Sequence, residues 1–286
     1  MTAVGLVPHP HRTASADLVR VVTAKLTERG VTVRLVAEDA DAVGLGEYGV
    51  PADAFGPGLD FAVSLGGDGT MLRTVDLVYQ AQVPVLGVNL GQLGFLAGVE
   101  ADDLDAALER AIAGDVDVEE RMVVRVTVES SGPAGGSWWA LNECLMEKAH
   151  SGRLVQLAVS IGGEFFTTYA ADGIIVSTPT GSTAYAFSAR GPIISPGLRC
   201  LLLTPVSPHM LFDRSLVLAP DEELRFEVAA EPEVELTIDG RTLGSLSVGD
   251  GVTCRPGEWP ARLLVIDRRT FHGVLKAKFQ LPDRAG

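Results

Sequence analysis

The chain has 286 residues, 47% hydrophobic and 21% charged, a composition that excludes a disordered chain and is long enough for a large core, in two domains. Against 23 basic residues stand 37 acidic ones, a formal charge of −14, which repels nucleic acid and anionic membranes and requires any anion site to be local. Cys144, Cys200 and Cys254 lie far apart with no C-x-x-C between them, which argues against a disulfide framework or zinc knuckle and for a reducing compartment. The start of the chain lacks a basic segment followed by a long apolar one, and no apolar run reaches about 18 residues, so a cytoplasmic protein without a membrane partner is expected.

The first third alternates strand and helix signals. Residues 3–7 read as a short apolar strand. Residues 13–28 set Leu18, Val21, Val22 and Leu26 at helical spacing, with Gly30 where a C-terminal cap belongs. Strands follow at 31–36 and 61–65, then a helix at 70–79, a strand at 83–88 and a helix at 102–113 that stops at Gly114. This alternation implies a parallel sheet covered on both faces, an α/β domain over residues 1–115. Short strands then crowd together at 121–129, 154–161, 164–169, 215–218, 224–228, 234–238, 252–255 and 262–266, with Gly162-Gly163 as a hairpin signal. Residues 116–270 therefore read as a β-rich, sandwich-like domain.

Gly44-Leu-Gly46-Glu-Tyr-Gly49 matches G-x-G-x-x-G but does not follow a strand directly: the acidic stretch 38–41 precedes it and Pro51 comes after, so it reads as a loop. No Walker A sequence and no G-x-S-x-G elbow is present, and the five histidines show no helical metal spacing. Leu65-Gly66-Gly67-Asp68-Gly69-Thr70 is more informative, because it joins an apolar strand to a helix. Its glycines let a ligand approach the backbone closely, and the helix N-terminus favours phosphate. Asp68 at that spot either caps the helix or holds a hydroxyl beside a phosphate chain. In the run 171–185 a buried strand at 174–176 enters a turn with Ser177, Thr178, Thr180, Ser182 and Thr183 around Gly181, a set of neutral donors for phosphate or ribose. Asn142-Glu143 pairs an amide with a carboxylate after an apolar strand end, and 87–96 is a glycine-spaced loop after a strand.

Taken together, these segments resemble the NAD kinase family, which phosphorylates the 2′-hydroxyl of the adenosine ribose of NAD. The resemblance rests on 66–70, Asn89 to Leu96, Asn142-Glu143, the specific run Asp172 to Tyr185, and Thr204-Pro-Val-Ser-Pro-His209, in the family's order. It implies a two-domain fold with the segment 271–286 returning to the first domain. It also implies a homodimer or homotetramer, and ATP or polyphosphate as donor with magnesium on its phosphates and no dedicated metal cage. Carried over by residue, Asp68 is the proton acceptor. Gly69, Arg73, Asn142, Glu143, Arg153, Ala170, Asp172, Thr183, Ala184, Tyr185, Ala186, Phe187 and Ser188 are dinucleotide contacts. Gly66, Gly67, Gly69, Thr70, Thr180, Gly181 and Ser182 face the phosphate donor. A small residue at 170 is linked in the family to use of NADH as well as NAD. Two positions depart from the family pattern: Arg190 stands where a glycine is usual, and Arg241 follows Asp239-Gly240 in place of glutamine. A lipid kinase sharing only 66–70, or a non-catalytic NAD(P)-binding regulator, are the alternatives.

Overall fold

A computed structural model describes residues 2–10, 13–91, 94–150, 152–267 and 270–282. The chain forms two compact units, one built from the segment up to Glu120 and again from Ala261 onward, the other from Arg121–Pro260. The first contains β1 (Ala3–Pro8), α1 (Thr13–Glu28), β2 (Thr32–Val36), α2 (Ala37–Val43), β3 (Gly49–Val50), α3 (Ala52–Phe55), β4 (Phe61–Gly66), α4 (Asp68–Val78), β5 (Val85–Asn89), β6 (Val99–Glu100), α5 (Leu104–Ala113) and β7 (Asp117–Arg121). Its sheet runs β3-β2-β1-β4-β5, then the returning strand Ala261–Val265, then β7, with β6 also on β5. The pairs from β3 through β5 and the returning strand on β5 are parallel.

Every residue of β1, β4 and β5 is buried. Strands covered on both faces need apolar side chains pointing both ways, which is why they read as continuous apolar runs rather than alternating ones. The acidic stretch 38–41 is helical, inside α2, with Gly44 at φ 74° closing that helix. One expectation changes here. The strand at 262–266, expected with the β-rich half, pairs Leu263 with Val85 in the parallel sheet.

The second unit contains β8 (Val124–Glu129), β9 (Gly136–Ala140), β10 (Glu143–Lys148), β11 (Val155–Ile161), β12 (Glu164–Ala171), β13 (Gly173–Ser177), α6 (Tyr185–Ser188), β14 (Leu201–Val206), β15 (Leu216–Leu218), β16 (Leu224–Ala230), β17 (Val234–Ile238), β18 (Arg241–Leu246) and β19 (Gly251–Pro256). They form two sheets, β15-β14-β13-β10-β17-β18 and β12-β11-β16-β19-β8-β9, antiparallel throughout. β8 alternates strictly, with Val124, Val126 and Val128 buried. These meet Met146, Ile174, Val176, Phe226 and Leu236 in one core, and full burial of each such side chain contributes about 1.5–3 kcal/mol. β13 is buried on both faces: Ile174 and Val176 enter that core, while Ile175 packs with Leu145, Ala186, Ile194 and Leu202. The segment holding α6 thus roofs the outer face of the sheet and fixes the turn after β13. All three cysteines are buried and unpaired.

Candidate active site

In the first unit the expected Gly-Gly-Asp-Gly-Thr turn sits between β4 and α4. Gly66 ends β4, Gly67 is the residue before the helix, and no side chain caps it. The capping alternative for Asp68 is therefore replaced by another arrangement. One Asp68 oxygen accepts the Phe95 amide at 3.0 Å and the other accepts the Leu96 amide at 3.1 Å. Only a glycine fits at 94, since a Cβ there would lie 2.1 Å from Asp68 Oδ1. Both oxygens keep further lone pairs, so the carboxylate is fixed in place and can still accept a proton. Gly67 and Gly69 have no described atom within 4 Å of where a Cβ would project, which leaves the backbone of the turn open to close approach. Thr70 is buried on α4. Asn89, at the end of β5, shapes the loop after it, exchanging hydrogen bonds with Gly91 and donating to Glu100 at 3.1 Å.

Arg73, one turn into α4, is paired with Asp39 of α2 at 2.9 Å. Burial pushes the Asp39 carboxyl up and the Arg73 guanidinium draws it down. The sequence points to Arg73 but not to its partner, because Asp39 lies 34 residues away and is brought to it only by the packing of the fold.

In the second unit Asn142 precedes β10 and Glu143 opens it. The amides of Leu141, Asn142 and Glu143 all donate to the Asp239 carboxylate, at 2.7, 2.8 and 3.0 Å. Glu143 is held at a pKa of about 8, chiefly by burial and further by the Asp239 charge, against a hydrogen bond from the Tyr185 amide. Its Oε2 is buried with no hydrogen-bond partner. Asp172 accepts Lys148 Nζ at 2.5 Å. Arg153 is exposed before β11, and Ala170 is half-buried on β12 with its carbonyl accepting the His209 amide at 2.8 Å.

The hydroxyl-rich turn after β13 is tied largely to itself. Thr178 Oγ1 donates to the Leu141 carbonyl at 2.5 Å and accepts the Gly181 amide. Ser182, expected to face a phosphate, is fully buried; its hydroxyl donates to Pro179 and accepts the Ile194 amide at 2.9 Å. Ser182 is a fastener of the turn, because a hydroxyl with both roles taken and no exposure has none left for a ligand. Thr183 Oγ1 bonds the Thr180 carbonyl, and Thr180 Oγ1 accepts Arg121 Nη1 at 3.4 Å. Gly181 packs on the Asn142 carbonyl, 2.1 Å from where a Cβ would be. Ala184 is half-buried, Ala186 is fully buried as core, and Tyr185, Phe187 and Ser188 are exposed along α6. Asp239 and Lys148 were missed as members of this cluster; the Asp-Gly turn signal at 239–240 was visible but was weighed only for the arginine after it.

A parallel sheet whose strand end runs through a glycine-rich turn into a helix, with a fixed carboxylate on that turn, is the apparatus of a phosphotransferase. Residues 48–116 match the ATP-NAD kinase N-terminal domain and residues 141–265 match the ATP-NAD kinase C-terminal domain. The chain belongs to the NAD kinase family. It is 40% identical over 289 residues to the NAD kinase of Thermobifida fusca (strain YX), covering 97% of this chain and 89% of that protein. It is 41% identical over 282 residues to NAD kinase 2 of Streptomyces coelicolor, covering 97% and 94%. Among solved structures, yeast NADH kinase complexed with NADH superposes with a TM-score of 0.87 at 25% identity, covering 98% of this chain and 87% of that one. An NAD kinase from Archaeoglobus fulgidus in complex with ATP gives 0.72 at 25% identity, covering 96% and 99%. The chain is accordingly an enzyme with NAD kinase activity, and the match over 141–265 sets the lipid-kinase alternative aside.

Proposed function

We propose that the chain carries out its NAD kinase reaction at the 2′-hydroxyl of the adenosine ribose, with Asp68 orienting that hydroxyl and accepting its proton. The 2′-oxygen attacks the terminal phosphorus of ATP in line; the new O–P bond forms as the bond to the bridging oxygen breaks, ADP departs, and the hydroxyl proton passes to Asp68. Phosphoryl transfer of this kind is governed by positioning and charge neutralisation. The observation that carries the reading is the double amide clamp on Asp68 from Phe95 and Leu96, which holds a carboxylate at the mouth of a helix without using it as a cap.

The open backbone at Gly67 and Gly69 supports donor phosphates there, with Gly66 and Thr70 shaping the turn. Asn142 and Glu143 recognise the adenosine half, with Asp172, Arg153, Ala170, Thr183, Ala184, Tyr185, Phe187 and Ser188 as further dinucleotide contacts. A magnesium ion carried by the donor's phosphates would neutralise their charge. NADH is accepted as well as NAD, the enzyme works as a homodimer or homotetramer, and it is cytoplasmic; three unpaired buried thiols support a reducing compartment. No described helix is long and apolar enough to cross a membrane.

The test is NADP formation from NAD and Mg-ATP by the purified protein and by Asp68→Asn. Asparagine retains one accepting oxygen for the clamp but cannot take the proton, so turnover should fall about 10²–10⁴-fold while the melting curve stays cooperative. Turnover within a few-fold of the parent would refute the role of Asp68, and no NADP from the parent protein would refute the reaction itself.

A further inference from the structure

Asp239 lies in the two-residue turn between β17 and β18, where Ile238 pairs with Arg241. Both turn residues have positive φ, 46° at Asp239 and 79° at Gly240, the geometry of a type I′ hairpin, for which Asp-Gly and Asn-Gly are the best sequences. A turn requirement alone would thus be met equally by asparagine. The carboxylate, however, reaches across to the neighbouring strand β10 and gathers three successive amides, those of Leu141, Asn142 and Glu143, at 2.7, 2.8 and 3.0 Å. The Asp239 amide in turn donates to the Glu143 carbonyl at 3.1 Å. An asparagine has one accepting oxygen and would set an N–H against an N–H, so it could not hold all three amides.

On its carbonyl side the same segment is held by the turn after β13. The Thr178 amide donates to the Asn142 carbonyl at 2.9 Å, and the Thr178 hydroxyl donates to the Leu141 carbonyl. Leu141 and Asn142 are therefore clamped by Asp239 on their donors and by Thr178 on their acceptors. Charge-assisted bonds to a carboxylate are the stronger of these.

We infer that Asp239 is the positioning residue for dinucleotide recognition: without touching the substrate, its carboxylate sets the backbone at 141–143 and thereby aims the Asn142 and Glu143 side chains. The inference rests on the reading of Asn142 and Glu143 as dinucleotide contacts. Its consequence is specific to binding. Asp239 should govern the KM for NAD and leave both the chemical step at Asp68 and the donor site nearly untouched.

The experiment is steady-state kinetics at saturating Mg-ATP on the full chain, with Asp239→Asn, Asp239→Gly, Asn142→Ala, Glu143→Gln, and Asp239→Asn combined with both of the last two. Asp239→Asn and Asp239→Gly both suit the positive-φ turn, so the hairpin should fold in each; melting curves check this. The expected result is a KM for NAD raised about tenfold or more in both, with kcat and the KM for ATP within about threefold. Once Asn142→Ala and Glu143→Gln are present, adding Asp239→Asn should change KM by less than about twofold, because the groups it aims are gone. Asp239→Asn with an unchanged KM for NAD, while Asn142→Ala or Glu143→Gln raises it, overturns the inference and spares the contact assignment. Full multiplication of the two effects also overturns it, since a merely structural loss would be independent of residues 142 and 143. If neither Asn142→Ala nor Glu143→Gln alters the KM for NAD, the contact assignment fails, and the inference falls with it.

Discussion

Asp68 is bound to Phe95 through the backbone, carboxylate oxygen to amide nitrogen, at 3.0 Å. The Phe95 ring lies 6.4 Å from that of Phe279 and 4.4 Å from the Lys278 ammonium. Both of those residues belong to α7 (Phe271–Phe279), which follows the strand Ala261–Val265, β20, in the part of the chain that returns to the first unit. The carboxylate proposed to orient the acceptor hydroxyl is thus braced by a loop that the last helix supports.

This contact makes Gly94 a sensitive position. Gly94→Ala would bring a methyl to 2.1 Å from Asp68 Oδ1, so the carboxylate or the loop must shift. A displacement near 1 Å at a reacting group costs about 10²-fold in rate. We expect kcat for Gly94→Ala to fall by about that factor while NAD still binds. A kcat within threefold of the parent would mean that the placement of Asp68 does not matter to turnover.

Arg190 closes α6 in the left-handed conformation, φ 65°, with its amide bonded to the Phe187 carbonyl and that of Gly191 to Ala186. The left-handed region costs a side-chain-bearing residue ~1–2 kcal/mol, and the greater freedom of an unfolded glycine returns roughly 0.5–1 kcal/mol of that. Arg190→Gly should therefore stabilise the protein slightly, raising the melting temperature by about 1–3 °C. Because the arginine side chain is exposed, the KM values for NAD and ATP should stay within about twofold. A raised KM for either substrate would assign the guanidinium to a phosphate instead.

The titration of Glu143 bears on stability. Its carboxyl is raised from 4.5 when free to about 8 in the folded protein, by burial first and by Asp239 second. A carboxyl that is more basic when folded supports the fold fully below the free value and loses that support as pH climbs through 8. Glutamine at 143 resembles the protonated acid at every pH. Chemical denaturation should find Glu143→Gln similar to the parent near pH 5, and more stable than it above pH 8 by on the order of a few kcal/mol. A difference independent of pH would show that Glu143 titrates normally.

Ala170, the small residue through which the resemblance implies use of NADH as well as NAD, offers neither charge nor a fork of donors. The 2′-hydroxyl is identical in NAD and NADH, so discrimination has to come from the nicotinamide end. The two substrates should give kcat/KM values within about tenfold, equivalent to about 1.4 kcal/mol. Measured under one Mg-ATP condition, a preference for NAD of a hundredfold or more would point to a different selectivity residue.

Local chemistry made much of this legible before any coordinates. Helix α1 and strands β1 and β4 follow from periodicity and unbroken apolar runs, because their faces are buried uniformly. The Gly-Gly-Asp-Gly-Thr turn and the 172–185 run are contiguous, so their composition could be read directly. Tertiary structure decided the rest. Strands Glu143–Lys148, Leu201–Val206 and Arg241–Leu246 are not legible because two of them lack a clean alternation and the third carries Pro205, a residue that argues against a strand. The strand Ala261–Val265 has the same local pattern as its β-rich neighbours, and only its pairing with β5 assigns it to the parallel sheet. Asp68 was readable as cap or as functional carboxylate; an amide pair 27 and 28 residues away engages it in place of a cap. Asp239 reaches Leu141, Asn142 and Glu143 across 96 to 98 residues. Ser182 looked like a hydrogen-bond donor to phosphate, but it is fully buried, donates to the Pro179 carbonyl and accepts the Ile194 amide. A residue's type limits the bonds it can make, and the chain brought into contact with it determines which of them it does make.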